Sequence, residues 1–70
     1  MKRIPVSSSN LVSVGYEKSN KTLEVEFRNR RIYQYKGVPE SIFKGLLLAV
    51  SKGKYLHRFV EKKYPYLRIR

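Results

Sequence analysis

Five cations, Lys52, Lys54, Arg58, Lys62 and Lys63, fall within one short stretch that opens on Ser51 and carries Gly53. Their shared chemistry is anion binding. Ser51-Lys52-Gly53-Lys54 opens a helical pattern, where free N–H groups point outward, Ser51 adds a hydroxyl and Gly53 lets a ligand reach the backbone. Cations in a first helical turn are unfavourable by about 0.3–1 kcal/mol, a cost that a bound anion would offset. The stretch is not a P-loop, because the Gly-x-x-x-x-Gly-Lys spacing is absent. A solvated helix start with incidental lysines is the plainer reading. For a small anion that reading comes first; for nucleic-acid phosphates the two stand level.

Secondary candidates are Arg28 and Arg30, with Arg31, around a turn, Tyr33 and Tyr35 in Tyr33-Gln34-Tyr35, and Arg68 and Arg70 at the end of the chain. The arginines fit phosphate gripping and ordinary solubilising charge equally well. The tyrosine pair fits base stacking, but core packing with hydroxyls at the rim is preferred for it. Tyr64, Tyr66 and Leu67 are expected to pack back on the core with Arg68 and Arg70 outward; a free basic-aromatic tail that orders on RNA is the alternative. His57 has no partner at a recognisable spacing and reads as a surface histidine. Glu24 and Glu26 share a strand face about 7 Å apart, a separation that suits paired carboxylates. An exposed sheet face, however, excludes no water and tunes no pKa for acid–base work. No catalytic residues are expected, and the chain is read as no enzyme. One His and scattered acids predict no metal site and no cofactor.

These residues sit on a chain of 70 with 16 Lys and Arg against five Asp and Glu, a formal charge of +11. Such a field draws polyanions and weakens with salt. The length makes one domain, and a chain this short buries only about 60% of its unfolded surface. The absence of Cys leaves no disulfide and suits a reducing compartment. The apolar run Leu46 to Val50 is too short for a bilayer, which needs about 20 residues. Ser7-Ser8-Ser9-Asn10 interrupts any signal-peptide core. The expectation is a cytoplasmic protein with no membrane partner.

The elements that must position the candidates follow from periodicity. Val12, Val14 and Tyr16 alternate with polar partners, as do Leu23, Val25 and Phe27, then Tyr33 and Tyr35, giving three strands. Arg28-Asn29-Arg30 reads as a tight turn with Asn29 tolerating the left-handed conformation. Pro39 fits the first turn of a helix whose stripe is Ile42, Phe43, Leu46, Leu47 and Val50. Ser51 is placed to cap a second helix with Tyr55, Leu56, Phe59 and Val60 inward, and Tyr64-Pro65 stops it. The predicted fold is α+β: a three-stranded antiparallel meander (βββ) with two C-terminal helices packed on one face. Its core spans about 7–66, with a flexible N-terminal arm over 1–6 and a mobile tail over 67–70. Tyr66 to Arg70 also alternates and fits a short strand.

In this fold the open sheet face carries Glu17, Glu24 and Glu26 beside Arg30, Gln34 and Lys36, and no aromatic residue, which disfavours a base-stacking sheet platform. Residues 36 to 70 hold nine basic residues and two acids. Positive charge is therefore expected along the C-terminal helical layer.

Taken together, Ser8-Ser9-Asn10-Leu11, Gly15-Tyr16, Leu23-Glu24-Val25-Glu26-Phe27, Tyr33-Gln34-Tyr35, Val38-Pro39 and Ser51-Lys52-Gly53-Lys54-Tyr55 resemble the KTSC domain over about residues 7–66. That family is named for a C-terminal extension of some lysyl-tRNA synthetases and also occurs as small stand-alone bacterial and phage proteins. Its turn between the second and third strands includes a Gly, where this chain has Asn29-Arg30. The resemblance implies a single domain and adds modest weight to a nucleic-acid partner.

The expected function is a small basic binding module for nucleic acid, RNA before DNA, held through backbone phosphates by Ser51, Lys52, Gly53, Lys54, Arg58, Lys62 and Lys63. The alternative is a protein–protein module docking on an acidic partner surface.

Overall fold

The computed structural model describes residues 2–70. Strands β1 (Arg3–Pro5), β2 (Leu11–Glu17), β3 (Thr22–Phe27), β4 (Ile32–Tyr35) and β5 (Tyr66–Arg68) form one five-stranded antiparallel sheet in that spatial order. Helices α1 (Glu40–Leu48) and α2 (Lys52–Leu56) lie between β4 and β5, and α2 runs on into a π turn, His57–Glu61. The class is α+β, but the sheet exceeds the expected meander by two strands. Arg3–Pro5, expected in a flexible arm, pairs with β2, and Tyr66–Arg68 pairs with β4. The alternation of Tyr66 to Arg70 fits the short strand β5, whereas the three residues of β1 are too few to show a period of two. Pro5 also argues against a strand, although an edge position tolerates its missing N–H.

Leu11, Val14, Leu23, Val25, Tyr35, Val38, Leu46, Leu56 and Val60 form a single buried cluster between the sheet and the helices. One strand position differs from the alternation. Leu11 is fully buried and Val12 is not, because a β-bulge lies between Leu11 and Ser13. The extra residue shifts the inward set by one place. Downstream of it, Val14 and Tyr16 face inward as their spacing predicts, opposite Val25 and Leu23.

Pro39, φ −65° and ψ 150°, caps α1 from just outside rather than forming its first residue. Leu46 is fully buried, but Val50 is fully exposed because the helix ends at Leu48 and the 3.6-residue stripe ends with it. Tyr16 stacks on Phe43 with centroids 5.1 Å apart, and its hydroxyl donates to the Val38 carbonyl. The Tyr55 hydroxyl donates to the Ile42 carbonyl at 3.0 Å and lies over Gly45, where no Cβ would fit. The first contact ties α1 to the sheet and the second ties α2 to α1.

The left-handed residue of the β3–β4 hairpin is Arg30, φ 71°, and not Asn29. Arg30 N–H donates to Phe27 O at 3.0 Å and Phe27 N–H to Arg31 O at 2.9 Å, a three-residue loop whose last position usually carries Gly. The Asn29 side chain accepts from Arg31 N–H instead, at 3.0 Å.

On the face turned away from the helices, Arg3 donates to Glu24 at 2.8 Å and lies 3.9 Å from Glu26. Gln34 also donates to Glu24, at 2.8 Å, and Ser13 to Glu26, at 2.9 Å. Glu24 is only 7% exposed. The acids of this face are therefore held by partners within the fold, one of them from the unexpected strand β1.

Candidate functional site

The loop before β2 is clamped to the end of β3. Ser8 Oγ accepts from the N–H groups of Asn10 and Leu11 at 3.2 and 3.3 Å, a local turn that short hydroxyl side chains favour. Arg28 closes the clamp by donating Nε and Nη2 to the Ser8 carbonyl at 3.2 and 2.9 Å. Its own N–H donates to Asn10 O at 3.0 Å. On the other side, α2 comes close because residue 53 lacks a side chain: a Cβ there would lie 2.8 Å from Asn10 Nδ2.

Between the clamp and α2 lies a groove of about 930 Å³. Its apolar lining is Leu11, Phe27 and Leu56, and its cations are Arg28, Lys54, Arg58 and Lys62. Among the described residues none of these four forms an ion pair. The π turn widens the helix where Arg58 and Glu61 face the groove, a distortion often found at functional sites. Glu61 is the one carboxylate in the lining, and its Oε1 lies 3.0 Å from His57 Nδ1.

The other expected residues fall elsewhere. Ser51 is exposed at the N-cap position of α2 and makes no side-chain cap bond. Lys52 turns its ammonium to the Ala49 carbonyl at 3.1 Å. Unfavourable at the start of α2, that charge is favourable at the end of α1, whose last turn has no basic residue of its own. Lys63 lies over the Phe59 ring, 5.8 Å from its centroid. Gly53 is the exception: it lines the groove, with Asn10 packed against it. Arg30, Arg68 and Arg70 do not line the groove.

Tyr33 and Tyr35 both lie on the helix side of the sheet, and they differ in burial. Tyr35 is buried. Burial raises its hydroxyl pKa above the ordinary value of 10.0, with the Glu61 carboxylate and Tyr33 adding to the rise. Tyr16 is raised in the same way, by burial first and then by Glu40. Tyr33 is half-buried and lines a smaller hollow of about 210 Å³ with Phe27, Asn29, Arg31 and Glu61. Phe27 meets Tyr33 edge-on at 5.4 Å, and Tyr66 stacks on it at 5.1 Å, within 11° of parallel. Phe27, Asn29 and Glu61 line both spaces, so hollow and groove adjoin. Sequence reasoning missed Phe27 as a site residue, and weighed Arg31 only with the turn and Tyr66 only with the tail. The pairing of Tyr66 with Tyr35 and of Arg68 with Tyr33 becomes visible only with β5 in place.

Among the described residues no helix is long and apolar enough to cross a membrane. The chain is similar to a KTSC domain protein from Yersinia pestis, whose crystal structure superposes with a TM-score of 0.95 at 40% identity over 99% of this chain and 97% of that one. It is 40% identical to an uncharacterised protein of Stutzerimonas stutzeri over 99% of both chains. A lysine–tRNA ligase of Trichormus variabilis is 39% identical over 51 residues, 73% of this chain and 9% of that protein. The KTSC domain model matches residues 7–64, nearly the full extent that the motifs suggested, and the chain belongs to the KTSC domain family.

Proposed function

We propose that this chain is a non-enzymatic module that binds nucleic acid by its phosphates along the groove between α2 and the end of β3. The observation that carries this reading is the convergence of Arg28, Lys54, Arg58 and Lys62 on one groove with no ion pair among them. Unpaired cations lining a concave surface focus a positive field, and a charge of +11 reinforces it. The homologous segment within lysine–tRNA ligases, proteins named for a tRNA, favours RNA over DNA. Lys54, Arg58 and Lys62 line the groove whereas Lys52 and Lys63 do not, so these three form the principal phosphate row.

Salt dependence tests this reading. Affinity for tRNA or a single-stranded oligonucleotide should fall steeply with salt, with a log–log slope near −0.7 for each phosphate of a single strand. Lys54→Ala and Lys62→Ala should each make that slope shallower by about 0.7. Absence of binding at about 50 mM salt contradicts the proposal, as does an affinity indifferent to salt. The apolar lining of Leu11, Phe27 and Leu56 favours a second reading, an acidic protein segment in the same groove. A protein partner that stays bound after nuclease treatment would support that alternative.

A further inference from the structure

Cations alone do not account for the chemistry around Phe27. Glu61 lines both the groove and the adjoining hollow and repels phosphate. Its position suits a ligand that also brings hydrogen-bond donors, such as the amino groups on base edges, which carboxylates accept from. Beyond it stand Phe27, Tyr33 and Tyr66, each ring packed on the next, ending in Tyr66 at 58% exposure. Tyr66 stacks on Tyr33 by one face, with Tyr35 tilted against it at 5.9 Å, and its exposure makes it the outer end of the stack. Arg31 lines the hollow with Tyr33, and Arg68 pairs with Tyr33 in the sheet register. A charged groove that runs into a ladder of aromatic rings is the arrangement that holds single strands, because every base has a π face and the backbone follows the cations.

We propose that the site takes a single strand rather than a duplex, its phosphates along Lys54, Arg58 and Lys62 and a base stacked on the outer face of Tyr66. The inference rests on the phosphate reading above and adds the class of ligand. A paired base presents only its edge, so a duplex cannot fill the aromatic end.

Three probes and two variants test it. The probes are single-stranded oligoadenylate, the same strand annealed to its complement, and inorganic polyphosphate of similar charge. The variants are Tyr66→Leu, which keeps apolar bulk on β5, and Tyr66→Trp, which keeps a ring and reports by its emission. The native chain should bind the single strand more tightly than the duplex. Tyr66→Leu should weaken the single strand about 5- to 150-fold, leaving polyphosphate affinity and the salt slope unchanged. Tyr66→Trp should keep the affinity and be quenched by oligoadenylate but not by polyphosphate. If Tyr66→Leu binds the single strand like the native chain, or loses all three probes equally, the stacking proposal is overturned and the phosphate reading stands. Equal affinity for duplex and single strand overturns it too. If the native chain binds none of the probes, the phosphate reading fails and this inference with it.

Discussion

Burial and pairing decide what each side chain does. Tyr35 is the plainest case. Its native pKa lies above the unfolded value of about 10, so the folded state keeps a proton that the unfolded state releases. The associated stability is intact below about pH 10 and is lost as pH rises beyond it, at up to about 1.4 kcal/mol per pH unit for each such group. Tyr16 acts in the same direction. Denaturant unfolding of the native chain and Tyr35→Phe, compared between about pH 9 and 11, should show a shallower alkaline decline in the variant; parallel declines would contradict this assignment. The two central tyrosines were legible in the sequence as core residues with a possible role at the rim. Burial divides those roles, with Tyr35 in the core and Tyr33 at the edge. Lys52 was legible as an anomaly at the start of α2. Its explanation, the Ala49 carbonyl at the end of α1, depends on how the two helices meet, which no local pattern encodes.

At the level of elements, long periodic stretches were readable and short ones were not. β2, β3 and β4 follow from alternation and both helices from their stripes. The bulge at Val12 and the strand β1 escape, because each depends on pairing with a distant segment, and the end of α1 before Val50 escapes as well. The contact of the helices depends on Gly45. A Cβ there would meet the Tyr55 hydroxyl and lie 2.9 and 3.2 Å from its ring carbons Cζ and Cε2. At an exposed helix site Gly→Ala stabilises by about 1 kcal/mol. Here crowding, which typically costs about 1–3 kcal/mol, should outweigh that gain, because the ring must move and lose its bond to Ile42 O. Gly45→Ala should therefore be destabilised by about 1–2 kcal/mol and melt several degrees lower. An unchanged or raised melting temperature would show that Tyr55 does not fix the approach of α2 to α1.

Across the whole molecule, the charge separates by partner as much as by position. On the open sheet face Arg3 and Gln34 hold Glu24, and Ser13 holds Glu26, whereas among the described residues the groove cations form no ion pair and the one acid in their lining, Glu61, contacts His57. The sequence reading found three of the four groove cations in its principal set and named Arg28 as secondary. The clamp of Arg28 on Ser8 sets these two groups on opposite sides of one groove, and that contact is tertiary. The aromatic end was illegible for the same reason: Tyr66 reaches Tyr33 only through β5. The most direct test is an amide NMR titration with a single-stranded oligonucleotide. Shifts should gather on Arg28, residues 53–62 and Tyr66 and leave Glu24, Glu26 and Gln34 unmoved. Shifts centred on that open face, or spread evenly over the surface, would contradict the groove as the binding site.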